Sequence, residues 1–405
     1  MYAPTLKTWQ SLPGEIVQSA ASFWKGIEGK RYIFVRVIFL NLLVGATLAL
    51  TQFTQSAMAK GEFGQTSYVS STAFLVSFGV TKAFANLFVG IVSDKLGRRG
   101  CMLLGWFLGL WLPVMQLAAT NWATIAASNL WLGLAQGLTW SCCIFVLLDI
   151  SGPENRAFAV GISETAGYTA QALFNLAAAA LMDDTKKIYR PGAQWLVLAL
   201  MLLGLLASFL LPETSSAKLA APSTPEEAER KSKAVIVWPS GRRDKVPLSM
   251  VVFSYASVMR GALFAVAVAG CITNTLTGLD WGLVQQWYKI PSGTQTACLA
   301  SSAVSLCLTK DQVANAALTY GITKGALQFL SGFFSDRMGR TLHVTGGMVI
   351  QAMGLLILVL TGMYSTKGAD QTYSLLLWGS FTLGLGSGTL YPVLLACISD
   401  WVRPL

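Results

Sequence analysis

One stretch of this chain occurs twice. FGVTKAFANLFVGIVSDKLGRR fills positions 78–99 and YGITKGALQFLSGFFSDRMGR fills 320–340, a shift of 242 residues. Eight of the 21 aligned residues are identical and most of the others are conservative. Self-similarity at so long a period, in apolar surroundings, means two related halves. Each copy is an apolar helix with one lysine in its middle, Lys82 or Lys324. Each ends in a turn of pattern G-x-x-S-D-(K/R)-x-G-R. A second pair follows the same logic. LGLAQGLTW at 132–140 matches LGLGSGTLY at 383–391, with Asp149 beside Asp400 and Pro153 beside Pro404.

Between these repeats lie apolar runs long enough to cross a hydrocarbon core of about 30 Å at about 1.5 Å per residue. Ten are expected, at 32–58, 66–93, 101–119, 122–149, 156–182, 192–211, 249–284, 312–335, 343–363 and 372–399. Only 12% of the 405 residues are charged and 54% are hydrophobic, whereas a soluble chain carries about 25% charged residues. The fold class is therefore an all-α polytopic membrane protein. Residues 1–31 form an N-terminal segment with no cleaved secretory signal, in which 13–27 could make a short amphipathic helix. Residues 32–211 make a six-helix bundle and 249–405 a second bundle of four helices. Between them, 212–248 is charged and proline-punctuated, a linker expected to be flexible or partly helical.

The net charge of +10 follows topology. About 18 of the 29 Lys and Arg fall in segments on one side of the spans, about 7 on the other and about 4 inside them. By the positive-inside rule both termini and the linker are cytoplasmic. The partners are thus a lipid bilayer and a small solute, not nucleic acid, and the plasma membrane is expected rather than an organelle.

The two turns carry a resemblance. Gly90, Asp94, Lys95, Gly97, Arg98 and Arg99, mirrored by Gly332, Asp336, Arg337, Gly339 and Arg340, resemble the signature that major facilitator superfamily transporters carry between helices 2 and 3 and again between helices 8 and 9. The resemblance implies that family's fold of two pseudo-symmetric bundles. It also implies that Asp94, Arg98, Asp336 and Arg340 form a cytoplasmic gate in which a carboxylate caps a neighbouring helix end, with Arg99 beside them. Gly90 and Gly332 would allow close helix approach, and Asp149 and Arg156 would extend the network; the alternative is that these are topology-setting loop charges. Ten spans stand against the family's twelve, so the expectation is either a chain truncated after the tenth span or a ten-span variant.

Charges inside a membrane are costly and mark function. Lys82 and Lys324 each stand twelve residues before the signature Asp, about 18 Å along the helix. Asn86 and Gln328 follow them at i+4 on the same face. Two cations related by the pseudo-twofold resemble the paired basic residues of the family's anion carriers. The alternative is neutralisation: Glu164 lies in the fifth span, which in the family packs beside the eighth, so it could pair with Lys324. Asn41 and Asn274, with Gln52 and Gln55, are uncharged candidates for a cavity lining, and Trp140 and Tyr391 are repeat-related aromatics that face either a cavity or a neighbour. Arg36 and Arg260 read as residues that snorkel to the inner interface.

Cys298 and Cys307 share one outer loop and could bridge if that face is oxidising. Neither a metal site nor a cofactor is expected, and no catalytic constellation is visible, so the chain is not read as an enzyme. The leading expectation is a secondary active transporter working by alternating access on a small, anionic solute, with a coupling proton or ion. Alternatives are a proton-coupled multidrug or cation exporter, and a transport-inactive pseudotransporter acting as a sensor or subunit. Gly133 counts against the exporter, because such exporters carry an arginine at that position.

Overall fold

The computed structural model describes residues 18, 20–65, 67–151, 156–183, 186, 188–215, 233–237, 243–247, 260–279, 284, 308–363 and 369–404. Helix α1 is Arg31–Gly61. A short α2, Tyr68–Ser71, leads into α3, Ala73–Gly109, and α4, Trp111–Ala118. Then come α5 (Trp122–Ser151), α6 (Arg156–Leu181) and α7 (Gly192–Phe209). After the linker follow α8 (Arg260–Leu279), α9 (Lys310–Met338), α10 (Arg340–Met363) and α11 (Ala369–Trp401). Among the described residues, five stretches are long and apolar enough to cross a membrane: α1, α3 with α4, α5, α7 and α10.

Each expected span has its helix, with differences that have local causes. Helix α3 contains two spans, separated at Gly97, whose φ of 83° puts it in the left-handed region. Gly339 does the same between α9 and α10 with φ 91°. The second glycine of each signature is therefore the residue that turns the chain, because only glycine takes that conformation without strain. The third span breaks at Leu110, between α3 and α4. Pro113 lies one turn on and has no N–H to offer the Gly109 carbonyl, so the helix cannot run through unchanged. The described part of the seventh span is Arg260–Leu279, shorter than 249–284; the remainder lies almost wholly outside the described residues.

The body is helical. Strand structure among the described residues is a sheet of order β2-β1-β3 from β1 (Lys233–Val237), β2 (Arg243–Pro247) and β3 (Val402–Pro404), with one bridge between Asp183 and Ile188. Part of the stretch expected to be flexible or partly helical thus pairs as an antiparallel hairpin, and β3, close to the end of the chain, joins it. Near the N-terminus, residues 20–26 are helical. Phe23 within it and Ile27 just after it, four residues apart, are buried. Phe23 stacks on Phe34 of α1 and on Phe158 of α6, and Phe158 stacks on Phe329 of α9.

Helices pack closely where glycine removes the side chain. A Cβ on Gly45 of α1 would collide with the Gly167 carbonyl oxygen of α6. Helix α6 crosses α9 through Gly161, Gly321 and Gly325, and the Thr165 hydroxyl donates to the Gly325 carbonyl at 2.7 Å. This contact of small residues is the general way helices associate where no water drives them together.

Pro392 stands inside α11 and cannot donate to the carbonyl of Gly388. The Ser331 hydroxyl of α9 donates to that carbonyl instead, at 3.0 Å. A backbone acceptor left bare in an apolar interior costs about 1–3 kcal/mol. Ser331→Val should therefore lower the melting temperature of the purified protein by several degrees. It should be nearly neutral in a Pro392→Ala background, where the alanine restores the helical donor. Equal losses in both backgrounds would show that the hydroxyl does not serve that carbonyl.

Candidate functional site

Two glycines four residues apart press on each lysine-bearing turn. On α5, a Cβ at Gly133 would lie 2.6 Å from the Phe78 carbonyl oxygen and 2.9 Å from the Lys82 nitrogen, and one at Gly137 would lie 3.3 Å from the Lys82 carbonyl oxygen. On α11, Gly384 would meet the Tyr320 carbonyl oxygen at 2.7 Å and Gly388 the Lys324 carbonyl oxygen at 2.5 Å. The two repeats of the sequence are one packing unit used twice: a lysine helix seated on a G-x-x-x-G face. Gly133 has no room for an arginine.

The lysines converge on one pair of rings. Lys82 Nζ lies 5.5 Å from the Phe78 ring centre and 6.0 Å from that of Trp140. Lys324, 1% exposed, has Nζ 3.9 Å from the centre of Tyr168 and donates to Thr277 Oγ1 at 3.1 Å. Tyr320 lies under the same ammonium at 5.5 Å, and its hydroxyl is 2.8 Å from Thr277 Oγ1. The Trp140 and Tyr168 rings meet edge to face at 5.4 Å. Aromatic faces stabilise a desolvated ammonium by about 2 kcal/mol. The pair therefore sits between the two cations.

Glu164 completes the cluster. It is fully buried, and its Oε1 accepts a hydrogen bond from Trp140 Nε1 at 2.6 Å. Its Oε2 has no hydrogen-bond partner among the described residues. The direct contact between Glu164 and Lys324, expected as the neutralising alternative, is not among the ion pairs within 4.0 Å that the described residues make. Trp140 bonds the carboxylate, and Tyr168 and Thr277 contact the ammonium. Nothing in the sequence pointed to Tyr168 and Thr277; their neighbours Glu164 and Asn274 drew notice for charge and amide, while a tyrosine and a threonine in an apolar helix do not stand out.

Other expected site residues divide. Gln328, one turn beyond Lys324, is fully buried, and both its amide atoms lack partners among the described residues. Asn41 instead ties α1 to α6, donating to the Ser163 carbonyl at 2.6 Å and to its hydroxyl at 2.9 Å. Asn86 and Asn274 are exposed. Asn86 accepts from Ser141 at 3.2 Å, while Asn274 donates to the Gly270 carbonyl of its own helix at 2.9 Å. Tyr391 is half-buried on α11.

At one end of the helices the first signature turn closes into a network. Arg98 donates to Asp94 at 3.0 Å, to Asp149 at 3.1 Å and to Ser93 at 2.7 Å, with its guanidinium 5.0 Å from the Phe145 ring. Arg340 repeats the serine contact, donating to Ser335 at 2.6 Å. The helix that restarts at Arg98 is capped from the start of the linker. Glu213 Oε1 accepts from the Arg98 nitrogen at 2.9 Å, and from the Thr214 and Ser215 nitrogens at 3.0 and 2.8 Å. At that helix start the beginning of the linker supplies the anion, while Asp94 is exposed and pairs with the Arg98 side chain. At Gly90 a Cβ would meet nothing within 4 Å among the described residues. Arg99 lies over the Phe209 ring at 4.8 Å, and Arg36 donates to the Leu210 carbonyl at the end of α7. Gly332 is buried. The side chains of Arg156 and Asp336, and both Cys298 and Cys307, lie outside the described residues.

The opposite end has a clamp that the sequence left unmarked. Glu62 accepts from Arg190 Nε at 2.7 Å and from the Tyr189 and Arg190 nitrogens at 3.1 Å, while Arg190 donates to the Gln116 and Ala119 carbonyls. Lys310, the first residue of α9, donates to the Met182 carbonyl beyond α6 at 2.7 Å.

Solved transporters share this architecture. A mutant of the nucleoside transporter NupG matches with TM-score 0.61 and 15% identity over 92% of this chain and 84% of its own. The human organic anion transporter MFSD10 (TETRAN) matches with TM-score 0.58 and 18% identity over 92% and 87%. The xylose transporter XylE from E. coli, in a partially occluded inward open conformation, matches with TM-score 0.57 and 16% identity over 91% and 85%. No curated protein matches the sequence. At these identities the solved structures speak for the fold alone. The description Major Facilitator Superfamily matches residues 37–285 and again 271–404, almost the whole chain. A multi-pass helical membrane protein with this fold and these two signatures is a secondary transporter and not an enzyme, and it belongs to the major facilitator superfamily.

Proposed function

We propose that the chain moves a small anionic solute by alternating access, with two halves, 32–211 and 249–405, rocking about a site between Lys82 and Lys324. One observation carries the reading: two lysines at equivalent positions of the repeat converge on the same Trp140–Tyr168 pair. Rings hold an ammonium weakly enough for an anion to displace them, and among the described residues two ammonium groups stand beside one carboxylate, that of Glu164. A site of that balance favours a negatively charged occupant. The signature turns are assigned to the cytoplasmic side, where basic residues accumulate, and the Arg98–Asp149–Glu213 network is read as the gate that holds that side shut.

Glu164 is proposed as the group that carries a coupling proton, since its second oxygen is buried with no hydrogen-bond partner among the described residues. The cation-exporter reading is weaker, because Gly133 excludes the arginine such exporters carry.

The test is uptake into proteoliposomes of a panel of labelled anions by wild type, Lys82→Ala and Lys324→Ala. Each variant should lose uptake by about a hundredfold, the effect of removing one charge from a buried, hydrogen-bonded group of charges. Rates equal to wild type in both variants would remove the anion site.

A further inference from the structure

We infer that the solute is an anion that also carries hydroxyl groups, read by Gln52, Gln55 and Gln171 on the seam between α1 and α6. This deepens the anion reading and rests on it.

Helices α1 and α6 run parallel in a fixed register. Asn41 bonds Ser163, Gly45 faces Gly167, and a Cβ on Gly45 would lie 3.3 Å from the Gln171 nitrogen. Gln52 follows Gly45 by seven residues, almost two whole turns, so it continues the stripe that faces α6; Gln55 is the next member of it. Gln171 stands one turn beyond Gly167. All three are buried, at 2%, 0% and 3% exposure.

Five amide atoms on this seam have no hydrogen-bond partner among the described residues: Nε2 and Oε1 of Gln52, Nε2 and Oε1 of Gln55, and Oε1 of Gln171. The hydroxyls of Thr47, Thr51 and Thr54 each donate to carbonyls of their own helix, so none of them has a proton left for the amide oxygens. A native fold does not leave five buried polar atoms bare, so something polar bonds them. The atoms are both donors and acceptors. A hydroxyl, which donates and accepts, satisfies both kinds; a bare anion satisfies donors only and a cation acceptors only. Gln171 stands seven residues from Glu164 along α6, about 10 Å. A solute with its charge between the lysines and its hydroxyls about that far away spans both places.

The experiment measures competition, in proteoliposomes, by two matched pairs of probes: gluconate against butyrate, and glycerol 3-phosphate against propyl phosphate. Wild type, Gln52→Leu with Gln55→Leu, and Lys324→Ala are compared. In wild type the hydroxylated member of at least one pair should compete about tenfold better, the value of one or two hydrogen bonds. In the glutamine double variant that ratio should fall to about one. A ratio of one in wild type, as when water alone fills the seam, overturns this inference, and so does a ratio that survives the double variant. In both cases continued dependence on Lys324 leaves the anion reading standing. If no probe competes, or competition is indifferent to Lys324, the anion reading fails and takes the inference with it.

Discussion

Gly45→Val should leave no monodisperse protein in detergent, while Gly90→Val should express and purify as wild type does. Both residues lie in long helices and both are glycines, so intrinsic helix propensity treats them alike. They differ in what a side chain would meet. At Gly45 the first added carbon falls on the Gly167 carbonyl oxygen, and that oxygen belongs to backbone, which cannot rotate away. Helix α1 would have to move off α6. The Asn41–Ser163 hydrogen bonds and the buried residues from Leu43 to Ala59 would then lose their partners. Overpacking in a core ordinarily costs about 1–3 kcal/mol, and separating two backbones that touch costs more. At Gly90 a Cβ meets nothing within 4 Å among the described residues. Fluorescence-detected size exclusion decides it: a sharp peak for Gly45→Val at wild-type yield would mean that α1 and α6 do not touch there.

The same contrast separates what was legible in the sequence from what was not. The repeat around Lys82 and Lys324 placed the two signature turns, at Gly97 and Gly339, and the spacing of each lysine from its turn, because spacing along a helix converts directly into distance. It also contained the reason for the lysines' setting, though only the packing makes that readable. Gly133 and Gly137 repeat as Gly384 and Gly388, and in both halves these glycines seat the lysine turn. Partners were not legible. An intramembrane charge demands a partner but does not name one, so Lys324 pointed to Glu164 of the fifth span, and the contacts it makes with Tyr168 and Thr277 could not be read. Glu213 was hidden for a different reason: it opens a polar linker, where a carboxylate reads as a solvated charge until the fold brings it to the Arg98 nitrogen.

Glu164→Gln should abolish accumulation driven by a pH gradient while sparing exchange of labelled for unlabelled solute. The substitution keeps size and keeps an oxygen to accept from Trp140 Nε1, the 2.6 Å bond that orients the group. What it removes is the ability to take and release a proton at Oε2, an atom held at 0% residue exposure with no hydrogen-bond partner among the described residues. A carboxylate in that position is costly to keep charged unless the neighbouring ammonium groups offset it. An arriving anion competes for those same groups, and Glu164 then gains by binding a proton. Solute and proton would thus load together, and the net charge of the loaded site would be the same as that of the empty one. Glutamine is permanently neutral, so the variant can still bind an anion and rock, but it has no proton to link to the movement. The measurement is uptake into proteoliposomes with an acidic exterior, against counterflow at equal pH on both sides. Accumulation by Glu164→Gln at the wild-type level would show that the proton, if one is carried, travels elsewhere; loss of both activities together would mean that the carboxylate is needed to bind solute, not to couple it.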